Sequence, residues 1–141
     1  MSSLFVYGTL MSEKVLKKVL PTTTTIKYGN QAILDNYHRY KVKNESYPAI
    51  YPFQGKNVRG KLLLNISDAE LEYLDAYEGD EYTRRKVIVK ILENQKEVPE
   101  NEIEGVYAYT FNDTEKSRLY DTWSFSEYLE VEDEFMKKEF N

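Results

Sequence analysis

The chain has 141 residues, a length that fits one domain with a sizeable core, and its 41% hydrophobic and 14% aromatic content argues against a disordered or coiled-coil protein. A formal net charge of −5, with the basic residues scattered along the chain, disfavours a nucleic-acid partner. There is no cysteine and a single histidine, His38, which excludes disulfides, thiolate nucleophiles and His-rich or Cys-rich metal sites.

Membrane and targeting signals are not recognisable in the sequence. No apolar run approaches the roughly 20 residues that span a bilayer, and Leu4–Tyr7 is too short for the hydrophobic region of a signal peptide. We therefore expect a cytoplasmic protein with no membrane partner, and a monomer is the simplest expectation. Because no linker, repeat or low-complexity tract is present, residues 1–141 are predicted to form a single domain.

The N-terminal segment predicts a buried strand followed by a short helix. Ser3–Tyr7 is rich in β-forming residues, and Gly8-Thr9 ends the run. A helix is predicted over Glu13–Val19, with Ser12 as its N-cap and Pro21 as its stop signal. The chain thus passes from a strand through a tight loop into a helix N-terminus.

The next segments are predicted to be extended. Ile26–Leu34 and Tyr37–Lys43 are predicted to pair around a turn at Asp35-Asn36, a polar dipeptide that tolerates turn dihedrals. Tyr47–Pro52 contains two prolines that cannot donate ladder hydrogen bonds, so we expect an edge or an irregular extended piece. Val58–Ile66 alternates with a period of two and is predicted to be a strand.

Two capping boxes mark the helices of the second half. Ser67-Asp68-Ala69-Glu70 opens a helix that Gly79 can end. Ser124-Phe125-Ser126-Glu127 opens a terminal helix that is predicted to run to about Phe140.

Two further strands lie between these helices. Lys86–Leu92 and Glu104–Phe111 repeat the period of two, and the polar stretch Asn94–Asn101 is predicted to be the hairpin loop between them. Strands with interspersed helices indicate an α+β fold with a closed or highly curved sheet.

Glu78 is the candidate catalytic residue. It shares the apolar stripe of its helix with Leu71 and Leu74 and lies in the last turn, so burial and the negative end of the helix dipole should both raise its pKa. A raised pKa makes a carboxylate a better general base or acid near neutral pH. One alternative stays open, because an ion pair with Arg84 or Arg85 would make Glu78 purely structural.

Three further polar residues are candidates for a role in a functional site. Asp75, one turn earlier, could form an acid/base pair with it or serve as a helix-end hydrogen-bonding residue. Tyr82 falls just past the helix and could turn its hydroxyl into the same site. His38 lies in a strand-like segment, is expected to be a half-buried or surface histidine, and is given no role.

The loop Tyr7-Gly8-Thr9-Leu10-Met11-Ser12 is the second candidate feature. Glycine lets the backbone approach a ligand, and successive N–H groups leading into a helix start form a pocket for negative charge. The loop could therefore be an oxyanion hole or a carboxylate cradle, the alternative being an ordinary strand-to-helix turn.

These residues, taken together, resemble the γ-glutamylcyclotransferase-like family. Tyr7-Gly8-Thr9-Leu10 is similar to its substrate loop, and matches to the run around its catalytic glutamate follow in order: Val58-Arg59-Gly60-Lys61-Leu62, Leu71, Leu74-Asp75, Glu78-Gly79 and Tyr82-Thr83-Arg84. The resemblance covers roughly residues 3–111. Trp123–Tyr128 is similar to the plant avirulence-induced branch of the family and its fungal and protist relatives.

The resemblance implies a small mixed β-barrel of about six strands ringed by short helices. It also implies release of 5-oxoproline from a γ-glutamyl amine or a γ-glutamyl amino acid, with Glu78 as general base and acid. The residues expected to bind that substrate are Tyr7, Gly8, Thr9, Leu10, Met11, Ser12 and Tyr82. Proton transfer and oxyanion binding need no metal or cofactor, so none is expected.

The fold and the glutamate do not name the leaving amine, since members of the family act on quite different amines. The alternative to an enzyme is a non-catalytic module of the same fold that binds a small metabolite or serves as an adaptor. Such a module has no need of a carboxylate on a buried helix face, where an unpaired charge costs stability.

Overall fold

The computed structural model describes residues 1–21 and 24–140, with only the backbone described at 97–100. Within that part of the chain, six strands and three α-helices follow one another as β1 (Ser2–Val6), α1 (Glu13–Val19), β2 (Lys27–Val42), β3 (Pro48–Ile66), α2 (Asp68–Glu78), β4 (Tyr82–Glu93), β5 (Lys96–Phe111), β6 (Leu119–Tyr120) and α3 (Phe125–Phe140). Short 3-10 helices occur after β1, at Thr9–Met11, and after β5, at Asp113–Arg118.

The strands form one mixed sheet whose pairing closes on itself. The hydrogen-bonded order is β3-β1-β5-β4-β2-β6, and β2 also pairs with β3, so β6 lies outside the ring that the other strands form. The pairing of β1 with β5 is parallel, with Leu4 beside Tyr107, and the other pairings are antiparallel. The α+β fold with a closed, highly curved sheet predicted from the sequence is confirmed.

Successive side chains of β1 enter two different hydrophobic clusters. Leu4 and Val6 pack in a helix-side cluster with apolar residues of α1, α2 and α3. Phe5 packs in a strand-side cluster with apolar residues of β2, β3, β4 and β5, and Tyr7, just past the end of β1, joins the same cluster. Because side chains alternate along a strand, β1 is buried on both faces, as predicted.

The close approach of β3 to β1 depends on Gly60. A Cβ at this position would lie 2.2 Å from the carbonyl oxygen of Val6 and 2.9 Å from the ring of Phe5. Real Cβ atoms do not approach backbone oxygen this closely, so any side chain at position 60 would push the two strands apart. Because position 60 carries no side chain, the end of β1 and the loop that follows it can lie close to β3.

The predicted capping boxes lie at the starts of α2 and α3. At α2, the N–H of Glu70 donates to Ser67 Oγ at 3.2 Å, and the N–H of Ser67 donates to Glu70 Oε1 at 3.0 Å. Gly79 ends this helix with a φ of 79°, which favours glycine. At α3, the N–H of Glu127 donates to Ser124 Oγ at 3.2 Å. Both helix starts are therefore confirmed.

The cap predicted for α1 is only partly correct. Helix α1 spans Glu13–Val19 as predicted, and Ser12 occupies its N-cap position, but the Ser12 side chain accepts no capping hydrogen bond. The N–H of Ser12 donates to the carbonyl of Thr9 at 3.0 Å, so the preceding 3-10 turn leads directly into the helix. None of the helices in residues 1–21 and 24–140 is both long and apolar enough to cross a membrane.

The turn predicted at Asp35-Asn36 is wrong, because β2 runs through it. Asp35 pairs with Asn57 and Tyr37 with Pro52, so the residues between Pro52 and Asn57 loop out of β3 while β2 continues. Asn36 has a φ of 65°, and its side chain accepts a hydrogen bond from the N–H of Gly55. The turn-forming asparagine is therefore part of a bulge, not of a hairpin.

The segment with two prolines is an edge, which is one of the two alternatives predicted for it. Pro48 and Pro52 lie in β3 and pair with β2, and no second strand pairs with this half of β3 in the described chain, so the other side of the strand needs no proline N–H group. The hairpin loop predicted at Asn94–Asn101 shortens to a turn at Asn94 and Gln95, whose φ values are both positive. Such turns match the twist of paired strands, which lets β4 and β5 extend toward the turn.

Candidate active site

A cavity of about 360 Å³ lies where the loop after β1, the C-terminal end of α2 and the last turn of α3 meet. Its lining residues are Phe5, Val6, Tyr7, Gly8, Thr9, Leu10, Glu45, Tyr47, Pro48, Tyr77, Glu78, Gly79, Glu81, Tyr82, Tyr109, Lys138 and Glu139. The volume lies in the range of small-molecule sites. The loop and the glutamate singled out from the sequence therefore share one cavity.

Most of the predicted site residues are brought together, but two are not. Those that line the cavity are Tyr7, Gly8, Thr9, Leu10, Glu78 and Tyr82. Met11 and Ser12 are absent from the lining, and Met11 packs in the helix-side cluster. Met11 and Ser12 are therefore not brought to the cavity as expected, because the 3-10 turn carries these two residues away from it.

Side chains from β2 hold the two ends of the loop. Arg39 Nη1 donates to the carbonyl oxygen of Tyr7 at 2.9 Å, and the Tyr28 hydroxyl donates to the carbonyl oxygen of Leu10 at 2.7 Å. Both carbonyl groups are thus engaged by the protein from outside the loop. The loop is held in one conformation by bonds that leave its N–H groups unused.

The carbonyl groups in the middle of the loop are engaged by the 3-10 turn itself. The N–H of Met11 donates to Gly8 and that of Ser12 to Thr9, each at 3.0 Å. By contrast, the N–H groups of Gly8, Thr9 and Leu10 have no acceptor in the described part of the chain. A loop whose carbonyl groups accept hydrogen bonds while its N–H groups remain free can bind an oxyanion or a carboxylate.

Helix residues brace the loop from the other side. The Thr9 hydroxyl is 2.7 Å from the hydroxyl of Tyr77, which lines the cavity from α2. The ring of Tyr77 stacks on Phe140 of α3, with ring centroids 6.1 Å apart. The loop, α2 and the end of α3 therefore support one another around the cavity.

The Glu78 carboxylate has no partner among the residues that the structure describes. No hydrogen bond or ion pair engages it there, although the residue is half-buried. Burial, followed by the negative charges of Asp75 and Glu81, raises the pKa of Glu78 to about 8. A carboxylate of this kind can accept and return a proton near neutral pH.

The structural alternative for Glu78 is not supported. Arg84 donates to Asp75 with Nε at 2.8 Å and Nη2 at 3.2 Å, and Arg85 Nε donates to the Thr110 hydroxyl at 3.2 Å. Both arginines are therefore engaged elsewhere. Asp75 is thus a helix-end hydrogen-bonding residue, one of the two roles predicted for it, and Glu78 is unpaired in the described part of the chain.

The cavity tyrosines direct their hydroxyl hydrogens at backbone carbonyls. The Tyr7 hydroxyl donates to the carbonyl oxygen of Tyr109 at 2.6 Å, and the Tyr82 hydroxyl donates to that of Pro48 at 2.7 Å. Burial, the largest cause, raises the pKa of Tyr7 and of Tyr82 above the ordinary value. Tyr82 thus reaches the site as predicted. Its side chain is neutral, and its hydroxyl proton is already donated to the carbonyl oxygen of Pro48.

The described side chains offer no metal site in addition to this cavity. In residues 1–21, 24–96 and 101–140 there is no group of three or more His, Cys, Asp or Glu side chains placed to hold a metal ion. His38 bonds to the Thr122 hydroxyl at 2.9 Å in an exposed position, away from the cavity lining.

Comparison with known proteins identifies the family. Residues 4–128 match the family described as gamma-glutamyl cyclotransferase, AIG2-like. AIG2-like protein D of Arabidopsis thaliana is 36% identical over 143 residues, which cover 99% of this chain and 89% of that protein. The chain belongs to this family. Protein AIG2 C of the same plant, another relative, is 33% identical over 92% of this chain and 73% of its own length.

Solved structures agree with the family's fold. A solution structure of an Arabidopsis thaliana protein, 28% identical, superposes with a TM-score of 0.70 over 97% of this chain and 87% of that one. A mouse AIG2-like protein, 20% identical, gives a TM-score of 0.68 over 90% of each chain. A structure named gamma-glutamyl cyclotransferase, 17% identical, gives 0.61 over 79% of this chain and 66% of that one. The last two likenesses concern the fold alone.

Several cavity residues of this family member were missed by sequence reasoning. Tyr77 was not among the predicted site residues, although its place beside Glu78 in the sequence was a usable signal. Tyr109 was not among them either, and its hydroxyl reaches the site region by bonding to Asp75. Lys138 and Glu139 carry no local signal, because only the docking of α3 brings them to the cavity.

Proposed function

We propose that this family member releases 5-oxoproline from a γ-glutamyl amine or a γ-glutamyl amino acid. The observation that supports this most strongly is the unpaired Glu78 carboxylate in one cavity with the free N–H groups of Gly8, Thr9 and Leu10. Together they supply a proton acceptor and donors for a developing oxyanion, which are the two requirements of the reaction.

The reaction is an intramolecular acyl transfer. Glu78 accepts a proton from the substrate's α-ammonium group, and the resulting amine attacks the γ-carbonyl carbon, closing the five-membered ring. The carbon–nitrogen bond to the leaving amine then breaks. The attacking nitrogen loses two protons and the leaving nitrogen gains both, so Glu78 returns to the carboxylate form. Tethering nucleophile and electrophile in one molecule gives a large rate advantage.

The loop after β1 stabilises negative charge in this scheme. When the amine attacks, charge develops on the γ-carbonyl oxygen, and N–H groups of Gly8, Thr9 or Leu10 can bind it. Losing one such donor typically costs about 3 kcal/mol of transition-state stabilisation. The held carbonyls keep the donors in place, so little reorganisation is needed during the reaction.

The proposal is tested by measuring 5-oxoproline release from a panel of γ-glutamyl amino acids and γ-glutamyl amines. Turnover of at least one compound supports the enzyme, and the panel names its leaving amine. Binding of 5-oxoproline or of a panel member without any turnover would favour the non-catalytic binding module.

The pH profile should follow the ionisation of Glu78. The base acts as a carboxylate, and its pKa is raised to about 8, so log kcat/KM should climb with a slope of one below pH 8 and level off above it. Initial rates between pH 5.5 and 9.5, the expected working range, test this. A profile that is already flat across this range, as expected for a glutamate with the ordinary pKa of about 4.3, would contradict a base whose pKa is raised.

The loop should not tolerate a side chain at position 8. A Cβ at Gly8 would lie 2.8 Å from Pro48 Cγ and 2.9 Å from Pro48 Cδ, so the loop or Pro48 must move. Since Pro48 lines the cavity and accepts the Tyr82 hydroxyl bond, we expect Gly8→Ala to weaken 5-oxoproline binding by about tenfold or more. Isothermal titration calorimetry measures this.

Ser12→Ala is the matched control for the loop. Ser12 makes no side-chain cap and does not line the cavity, so this variant should bind 5-oxoproline like the wild type. Because Ser12 is buried, the variant's free energy of unfolding should fall by about 1 kcal/mol, the usual size for a point substitution. Normal product binding by Gly8→Ala would mean that the loop is only a turn.

A further inference from the structure

Asp75 is engaged on both oxygens of its carboxylate. Oδ1 accepts Arg84 Nε at 2.8 Å and the Tyr109 hydroxyl at 2.6 Å, and Oδ2 accepts Arg84 Nη2 at 3.2 Å. The carbonyl of Asp75 also accepts the N–H of Gly79 at 3.0 Å. These bonds tie the last turn of α2 to β4 through Arg84 and to β5 through Tyr109.

The place of Glu78 in the cavity depends on this anchor. No hydrogen bond or ion pair fixes its carboxylate in the described residues, so its place in the cavity follows from where the last turn of α2 lies. Asp75, three residues earlier, is its neighbour on the helix surface. We propose that Asp75 is a positioning residue that places Glu78 against the substrate loop. This inference rests on the proposed role of Glu78 as the base.

The same pair of residues also sets the charge beside Glu78. The negative charge of Asp75 is the second cause, after burial, of the raised pKa of Glu78. Arg84 lies on Asp75 and partly offsets that charge. Removing the charge of Asp75 should therefore favour the ionised form of Glu78, and removing the charge of Arg84 should disfavour it. A purely structural pair would not move the ionisation in opposite directions.

Other ionisable groups face the same cavity, and one of them, Tyr109, also bonds to Asp75 and loses that charged acceptor in Asp75→Asn. Five tyrosines with raised pKa values stay neutral across the working range, and they are Tyr7, Tyr47, Tyr77, Tyr82 and Tyr109. Glu81 is paired with Arg118. The β2–β3 connection contributes Glu45, and α3 contributes Lys138 and Glu139. The charges of these groups are the same in all the variants, so they do not account for differences between the Glu78 titration midpoints.

The direct test is an NMR titration of the Glu78 side-chain carboxyl carbon, assigned by its loss in Glu78→Gln. In Asp75→Asn the midpoint should fall by about one pH unit, and in Arg84→Met it should rise. Arg84→Lys, which keeps the charge, should restore a midpoint close to that of the wild type. Asp35→Asn is the control, since Asp35 pairs with Lys90 at 2.8 Å outside the cavity lining and should leave the midpoint unchanged.

Kinetics provide the positioning readout. With a substrate that is turned over, Asp75→Asn should lower kcat about tenfold while KM changes less than about threefold, because the base is misplaced but the loop is intact. The acid limb of kcat/KM should move with the NMR midpoint. A variant that lowers only the melting temperature and leaves both kcat and the limb unchanged would overturn the inference.

The two proposals fail in distinguishable ways. Because the titration needs no turnover, opposite midpoint shifts in a protein that turns over no γ-glutamyl compound would support the link between Asp75 and Glu78 and contradict the proposed activity. Midpoints that stay still, or that move in the same direction in Asp75→Asn and Arg84→Met, overturn the inference. If Asp75→Asn does not fold, the comparison of Arg84→Met with Arg84→Lys decides it.

Discussion

Replacing Glu78 by glutamine should lower kcat for 5-oxoproline release by about 10³-fold. The amide keeps the shape of the side chain but cannot accept the α-ammonium proton. The two carboxylates nearest in sequence are already engaged, since Asp75 is bonded to Arg84 and Tyr109, and Glu81 is paired with Arg118. The measurement is the single-turnover rate at pH 8.5, where the wild-type base is mostly ionised.

The control for this variant is Glu72→Gln, which changes an exposed glutamate on the same helix. It should leave kcat within about twofold of the wild type. Near wild-type rates in Glu78→Gln would remove Glu78 from the chemistry and leave only a binding role for the cavity.

The same substitution should also affect stability in a pH-dependent way. The folded-state pKa of Glu78 is raised to about 8, so its contribution to stability is complete below about pH 4.3 and is lost as pH rises through 8. Glutamine imitates the protonated form. We expect Glu78→Gln to be more stable than the wild type by about 2 kcal/mol at pH 9, because solvent reaches the half-buried carboxylate and weakens the effect of burial. At pH 4 the two proteins should have the same free energy of unfolding.

Gly60→Ala should destabilise the fold by about 3 kcal/mol, the upper end of the usual overpacking cost. The added Cβ would lie 2.2 Å from the Val6 carbonyl oxygen, which belongs to the backbone of the neighbouring strand and cannot turn away. Separating β3 from β1 would loosen both hydrophobic clusters that β1 joins. Urea unfolding followed by far-UV circular dichroism gives the free energy of unfolding.

Gly29→Ala is the matched control within the sheet. A Cβ there would also make a short contact, 2.8 Å to Leu64 Cδ1, but this atom is the end of a side chain that can rotate. We expect a cost of about 1 kcal/mol or less. Equal stabilities of the Gly60→Ala and Gly29→Ala proteins would show that the backbone of β1 and β3 can adjust without loss.

Features encoded by a few adjacent residues could be predicted from the sequence. The capping boxes at Ser67 and Ser124 gave the helix starts because both partners of each bond lie within four residues. The burial of Glu78 followed from the helical period in the same way. By contrast, Asn36 signals a turn equally well in a hairpin and in a bulge, and only the pairing of β2 with a looped-out segment of β3 decides between them.

The parts of the site that depend on distant segments could not be predicted. Which acid receives Arg84 depends on the angle between α2 and β4, and the structure gives it to Asp75 rather than Glu78. Lys138 and Glu139 reach the cavity only because α3 docks beside α2. The loop after β1 was recognisable as a ligand-binding shape, but the hydrogen bonds that hold its carbonyl groups come from Arg39 and Tyr28 of β2, and no local pattern indicates them.

The parallel pairing of β1 with β5 has a consequence for synthesis on the ribosome. Leu4 is made well before its neighbour Tyr107, because β2, β3 and β4 lie between them in the chain. Strand β1 therefore waits for this partner, with its apolar side chains not yet fully covered, until β5 has left the exit tunnel. Tyr109 of β5 also lines the cavity, so the cavity cannot be complete before that strand is made.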